Sequence, residues 1–284
     1  MTISLPGGGQ LITVDALLKQ PTQIGKRIIR KEDVFLSDYL FRGPIAVQGG
    51  AFTFSEAEEQ DQYPARGDVQ QIEPGGDYPM VDVAEGEQQA GRTSKFGAAY
   101  RVTYEARDDN NVNPMAKGNI KVRNAMIRSD AGRAFAAIES KTTPVAASAD
   151  WSTASAWEKD ILTAMSVFPD GYEPDTIIIS KATALKVRLL KELKDYAPRE
   201  NTDLNPLLNR SLDNLLELNW IINNRAANRA YLIQRNTAGF VAQSDAYGVT
   251  VVDRPENDEF LVKARRRSAP VVDEPNSVAI IEGV

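Results

Sequence analysis

Residues 55 to 90 set the first limit on how this chain can fold. They hold ten carboxylates and a single cation, Arg66, giving a segment charge of −9. The whole chain of 284 residues carries 33 Lys and Arg against 39 Asp and Glu, a net −6, so everything outside the segment sums to +3. The same stretch contains Pro64, Pro74 and Pro79 together with Gly67, Gly75, Gly76 and Gly86. A sequence this charged and this rich in turn formers buries too little apolar surface to make a core of its own. Structureless loops longer than ~15 residues are uncommon in compact domains, so the segment reads as an excursion from the fold. Strand-like runs flank it, Pro44 to Gln48 and Ala51 to Phe54 before, Phe96 to Tyr104 after. Strand out and strand back predict a long hairpin.

The clearest helix follows. Asn113 can cap it, Pro114 suits its first turn, and Ile120, Ile127, Ala131, Ala134 and Ile138 recur at helical spacing until Ser140 to Pro144 stop it. A helix over 113–139 would span roughly 40 Å. Its other flank is basic, with Lys117, Lys121, Arg123, Arg128 and Arg133 against Asp130 and Glu139. From Asp150 the pattern becomes alternating α/β. A helix with Ala154, Trp157, Ile161, Ala164, Met165 and Phe168 inward leads to a strand at Thr176 to Ser180. A second helix, capped by Ser180, turns Ala182, Leu185, Leu189, Leu193 and Tyr196 to one face, and a third runs from Asn205 to Leu218. Six strands are then expected, at 220–222, 230–234, 239–242, 248–253, 259–267 and 277–281.

The chain has neither Cys nor His. Disulfides, thiolate nucleophiles, Cys/His zinc sites and imidazole proton shuttles are therefore unavailable to it. A carboxylate-pair hydrolase remains as the permitted enzyme class, but the acids concentrate where solvent would keep their pKa values ordinary. Gly7-Gly8-Gly9 follows no strand and Gly25-Lys26 has no glycine five residues upstream, so neither makes a phosphate cradle. Arg265-Arg-Arg267 lies in a strand pattern, where alternation sends neighbours to opposite faces and no single patch is expected. No cofactor or metal set emerges. The N-terminus lacks a basic and apolar leader, and no apolar run reaches the ~20 residues of a membrane span. A cytoplasmic setting without a membrane partner is expected.

Several strings, taken in order, resemble the major capsid protein of tailed bacteriophages, the Hong Kong 97-type shell fold shared with herpesviruses and encapsulins. They are Gly49-Gly50, Ile72-Glu-Pro-Gly-Gly-Asp-Tyr-Pro79, Lys95-Phe-Gly97 and Val102-Thr-Tyr-Glu105, then Pro174 to Leu193, Gly248-Val-Thr-Val-Val-Asp-Arg-Pro255, Glu259-Phe-Leu-Val-Lys263 and Ser277-Val-Ala-Ile-Ile-Glu-Gly283. The resemblance covers nearly the whole chain. It implies an α+β subunit with an N-terminal arm over 1–44 and an extended β-hairpin loop over 45–97. A peripheral domain would take 98–145 and 254–284, with a spine helix at 113–139, and an axial α/β domain would take 146–253.

The function so implied is structural and not enzymatic, with no cofactor. Copies would self-assemble as pentamers and hexamers into an icosahedral virion capsid, built in the bacterial host cytoplasm and enclosing double-stranded DNA without reading its sequence. A separate scaffolding protein, a portal and a decoration protein are the implied partners. An encapsulin-type compartment shell is the alternative, and a carboxylate-dependent hydrolase the third reading. The acidic loop, laid across a neighbour's basic helix flank, would supply charge complementarity; Glu56, Glu58, Glu59 and Asp61 meeting Arg123 and Arg128 are the candidate contacts. Two departures from the family matter. No Lys occurs between Lys31 and Lys95, so covalent cross-linking through a loop lysine is not expected. The chain also starts almost at its arm, which implies a separate scaffold or a removed upstream portion.

Overall fold

The computed structural model describes residues 13–28, 36–57, 71–80, 88–190 and 215–284. Three short helices, α1 Val14–Leu18, α2 Pro21–Ile28 and α3 Leu36–Leu40, precede the strands β1 Arg42–Ala46 and β2 Ala51–Ser55. Beyond the excursion come β3 Gln88–Arg92, β4 Ser94–Thr103, α4 Tyr104–Asp108 and the long helix α5 Asn113–Lys141. Next are β5 Val145–Ala146, α6 Ala156–Met165, β6 Thr176–Ile179 and α7 Lys181–Leu189. Five strands close the described chain: β7 Asn219–Ile222, β8 Arg229–Ile233, β9 Gly239–Arg254, β10 Glu259–Val272 and β11 Val278–Glu282.

They form a four-stranded sheet in the order β1-β9-β10-β4, a five-stranded sheet in the order β5-β11-β8-β6-β7, and the pair β2-β3. The five-stranded sheet is covered on both faces. Ile177, Ile179, Ala230, Leu232, Ala279, Ile281 and Trp220 pack beneath α6 and α7, while Ile178, Tyr231, Ile233, Val278 and Ile280 meet Leu40, Phe41 and the helix residues Ala134, Phe135 and Ile138. Double burial explains why β6, β8 and β11 read as near-continuous apolar runs. The four-stranded sheet instead alternates. Val102 and Val262 meet Val14, Leu17, Ile24 and Met115, and Ala264 meets Val122 and Met126. Side chains one residue along each of these strands point to the other face.

The long helix joins the two sheets, its first half on one and its second half on the other. Its 29 residues span about 44 Å. Early in the helix Gly118 lies so close to Tyr100 that a Cβ there would sit 2.4 Å from the ring. Burial raises the Tyr100 phenol above its usual range, keeping it a donor to Asn119 Oδ1 at 2.6 Å. Where the helix crosses from one sheet to the other, Asp130 and Arg266, each 2% exposed, form an ion pair at 3.2 Å. Asp130 also accepts from Arg133 at 2.9 Å and from the Ser37 hydroxyl, so one carboxylate ties α3, α5 and β10 together.

Several sequence expectations need correction. The partner of β2 is Gln88–Arg92, and the strand from 94 to 103 pairs with β10 instead of closing the hairpin. The strands expected at 239–242 and 248–253 are one, continued through register shifts against β10 at Arg265 to Ser268. It belongs with β4 and β10, not with the axial span 146–253, because β10 hydrogen-bonds to both. The run β11, placed in the peripheral domain by sequence, sits between β5 and β8, since Val-Ala-Ile-Ile needs a sheet buried on both sides. Helix α7 turns Thr183, Ala184 and Val187 inward and leaves Leu185 and Leu189 exposed, as is Ile120 on α5. Ala154 is exposed and lies before α6 starts. Trp151 is fully buried, donating to Asp160 Oδ2 at 2.9 Å. Residues expected in the third helix, apart from 215–218, lie outside the described residues.

Candidate assembly surfaces

The excursion is anchored at its base by residues its own sequence supplies. Phe52 and Phe54 alternate with Thr53 on β2, so both face the same way, and their rings meet Phe240 at 5.9 and 6.2 Å between centroids. Val47, Ala242 and Val271 complete that cluster. The entering turn, Gly49-Gly50, has φ of 73° and 82°, a region that favours glycine. At Gly50 a side chain would also be excluded by space, since a Cβ would lie 2.3 Å from the Arg267 guanidinium. Ala57 N–H donates to the Asp273 carbonyl at 2.7 Å. Further out, residues 71–80 turn at Glu73, whose carbonyl accepts from Gly76 N–H at 2.8 Å. Tyr78 and Met80 there are 81% and 88% exposed.

The sequence-derived contact residues fall in different places. Glu56 accepts from Lys141 at 2.8 Å and from Gln89 at 2.6 Å, so it already has a cation at the end of its own long helix. Glu58, Glu59 and Asp61 lie outside the described residues. Arg128 is exposed on α5, whereas Arg123 is partly buried. Arg133, counted on the basic flank by sequence, points inward. It bonds Asp130 and the Ser268 carbonyl and sits 3.8 Å from the Phe96 ring centroid. Burial pulls its guanidinium below the ordinary range, with Asp130 opposing.

One surface was missed from sequence. Arg265 and Arg267 share a face of β10 with Lys263, and in register with them stand Gly97, Lys95 and Ala99 of β4. Alternation, which was expected to disperse the three arginines, instead selects two of them and buries Arg266 on the helix side. Arg101, two residues beyond Ala99, lies on the same open face, where it pairs with Glu259 at 3.5 Å. The signal was present as a spacing, Lys263, Arg265, Arg267, but the matching cations of β4 required the strand register.

Among the described residues no cluster of acids suits a metal ion, and no helix is long and apolar enough to cross a membrane. A shallow depression on α6 lined by Ser155, Glu158, Lys159, Leu162, Thr163 and Ser166 offers one carboxylate, not a pair.

Residues 86–281 match the family model described as phage capsid protein. No curated protein matches the sequence significantly. Among solved structures, the virus-like particle from Pyrococcus furiosus superposes with a TM-score of 0.64 at 12% identity, covering 93% of this chain and 98% of that one. A Microbacterium phage Oxtober96 chain gives 0.60 at 14% identity, covering 86% and 89%. The capsid of Myoviridae phage XM1 gives 0.54 at 12%, covering 84% and 90%. At these identities the structures speak for the fold. The family match spans more than two thirds of the sequence, including the long helix and the strands β3 to β10, and by it this chain belongs to the phage capsid protein family.

Proposed function

We propose that the chain is the major capsid protein of a tailed double-stranded DNA bacteriophage, its copies closing as pentamers and hexamers into an icosahedral shell. The observation that carries this is the excursion between β2 and β3. It is held to its own subunit at the base, yet further out it carries a charge far from the chain average and exposes Tyr78 and Met80. Such a segment serves little purpose within one subunit and fits a contact with the next. Glu58, Glu59 and Asp61 would reach a neighbour's Arg123 and Arg128, while Glu56 stays on Lys141. Repetition around a closed shell turns weak, directional contacts into a durable particle. DNA is enclosed without sequence readout, a separate scaffolding protein guides assembly in the host cytoplasm, and a portal and a decoration protein join the shell. The absence of Cys and of a lysine between Lys31 and Lys95 supports a non-covalent shell.

Electron microscopy of the purified chain tests this, with and without co-expressed neighbouring phage genes. Closed shells of uniform diameter that run as one 31.2 kDa band under denaturing conditions are expected. A chain that stays monomeric in every such preparation overturns the proposal. The similarity to the Pyrococcus particle supports a second reading, a compartment around protein cargo, and the contents of the shell separate the two.

A further inference from the structure

Apart from β2 and β3, the described strands fall into four runs that alternate between the two sheets, so the chain passes from one sheet to the other three times. The long helix makes the first passage, residues 234–238 between β8 and β9 the second, and residues 273–277 between β10 and β11 the third. The last two lie side by side, with Glu274 N–H donating to the Ala238 carbonyl at 3.4 Å. The helix ends at Lys141, beyond the residues Ala134, Phe135 and Ile138 that pack on the five-stranded sheet. Packed elements that join two bodies slide in small shear steps unless a further contact ties them.

The root of the hairpin makes that tie. Phe52 and Phe54 hold it on the four-stranded sheet, and Thr93, just past β3, closes it through the Gly50 carbonyl at 2.8 Å and the Ser244 hydroxyl at 3.1 Å. Glu56, one residue beyond β2, accepts from Lys141 at 2.8 Å and from Gln89 of β3 at 2.6 Å, and Lys141 also donates to Gln89 Oε1 at 3.2 Å. Both sides of the hairpin thus grip the last residue of the helix. The next residue, Ala57, donates to the Asp273 carbonyl at 2.7 Å, where the third passage starts. Asp273 and Glu274 share Arg42, whose guanidinium also reaches the Gly239 carbonyl at 3.3 Å, where the second passage ends. Tyr172, ahead of β6, hydrogen-bonds Glu274. Two neighbouring residues of the root therefore hold the helix end and the paired passages together. The side chains of Lys141 and Glu56 are 30% and 22% exposed, so their ion pair is weak enough to let go.

We infer that the root of the hairpin is a brace across the joint between the two sheets. Glu56 on Lys141 and Ala57 on Asp273 lock the end of the long helix to the paired passages, and a pull on the outer hairpin reaches the joint through them. The inference goes beyond the shell reading and does not depend on it. The outer excursion faces other copies, while its root serves the subunit that carries it.

The chain lacks Cys, so pairs of spin labels can be placed on the full-length subunit without removing native thiols. K159C/K263C reports across the joint, from α6 to β10, and A90C/K263C reports the hairpin against the four-stranded sheet; all three positions are exposed. Distances are measured by double electron–electron resonance on dilute subunits, with and without K141M. With Lys141 in place each pair should give one narrow distance. K141M should keep the circular dichroism spectrum while the population away from the main K159C/K263C distance rises about fivefold. K141R, which restores the cation, should narrow it again. Broadening of A90C/K263C alone describes a hairpin that hangs on the joint without bracing it, and overturns the inference. So does a cross-joint distance that K141M leaves unchanged, or one already broad with Lys141 in place. Should K141M fail to fold, E56Q, which keeps the shape of the side chain and removes its charge, gives the same decision. Because single subunits are measured, a failure here leaves the shell reading standing, and a chain that forms no shells leaves the brace standing.

Discussion

The two sheets that share the long helix solve different problems. In the five-stranded sheet every residue of β6 is buried and α6, α7 and α5 sandwich the strands, so its contacts serve stability. In the four-stranded sheet β10 alternates, with Ala264, Arg266 and Ser268 buried and Lys263 and Arg265 exposed. One face is closed by the subunit's own helices, and the other is open beyond the end that Phe52 and Phe54 cover. A sheet closed on both sides specifies a fold, whereas one closed on a single side can belong to a fold and an assembly together.

Arg265 and Arg266, adjacent on one strand, put this contrast to its strongest test. Arg266→Ala removes a buried partner of Asp130 and should cost about 3 to 5 kcal/mol, while Arg265→Ala should stay within about 0.5 kcal/mol. Urea denaturation of the subunit measures both, and equal losses would erase the distinction between the faces. A smaller effect is expected at Gly118, where Ala improves helix propensity by ~1 kcal/mol but drives a methyl into Tyr100. Net destabilisation of about 1 to 3 kcal/mol is the expected outcome, and a stabilised variant would mean the helix can lift off the four-stranded sheet freely.

The smallest effect lies in the link between the sheets, where Asp273 and Glu274 follow β10. Burial raises both carboxyls, with Arg42 opposing. The folded state therefore holds these protons more tightly than the unfolded chain does. The stability they contribute is full below the ordinary carboxylate range of about 4 and declines as pH rises through the raised values. Denaturation midpoints followed from about pH 4 to 7 should fall less in D273N/E274Q than in the wild type, and parallel slopes would place the link in solvent.

Sequence alone reached the long helix, from Pro114 and the spacing of Ile127, Ala134 and Ile138, and it reached β6 and β11 from unbroken apolar runs. It also located the excursion, because charge needs no partner to be read. Gln88-Gln-Ala-Gly-Arg92 was missed because nothing in its composition favours a strand; pairing with β2 imposes the conformation. On α7 two phases fitted the helical period, Leu185 with Leu189 and Ala184 with Val187, and the smaller residues won because they allow the helix closer to the sheet. The basic face was illegible for a different reason. It is assembled by register between residues 95–101 and 263–267, and no local pattern encodes which strands will be neighbours.

The position of β11 has a consequence in time. Among the described strands it is made last, yet it stands between β5 and β8, and β10, made just before it, stands between β9 and β4. While the ribosome is still short of residue 259, neither sheet can close, and β4 and β8 expose edges that invite wrong partners. Such distant pairings also fold slowly. The basic face does not exist until β10 has entered its place. A chain broken off before residue 259 would lack the central strand of the four-stranded sheet and the strand that joins β5 to β8, and with them the core on both sides of the long helix.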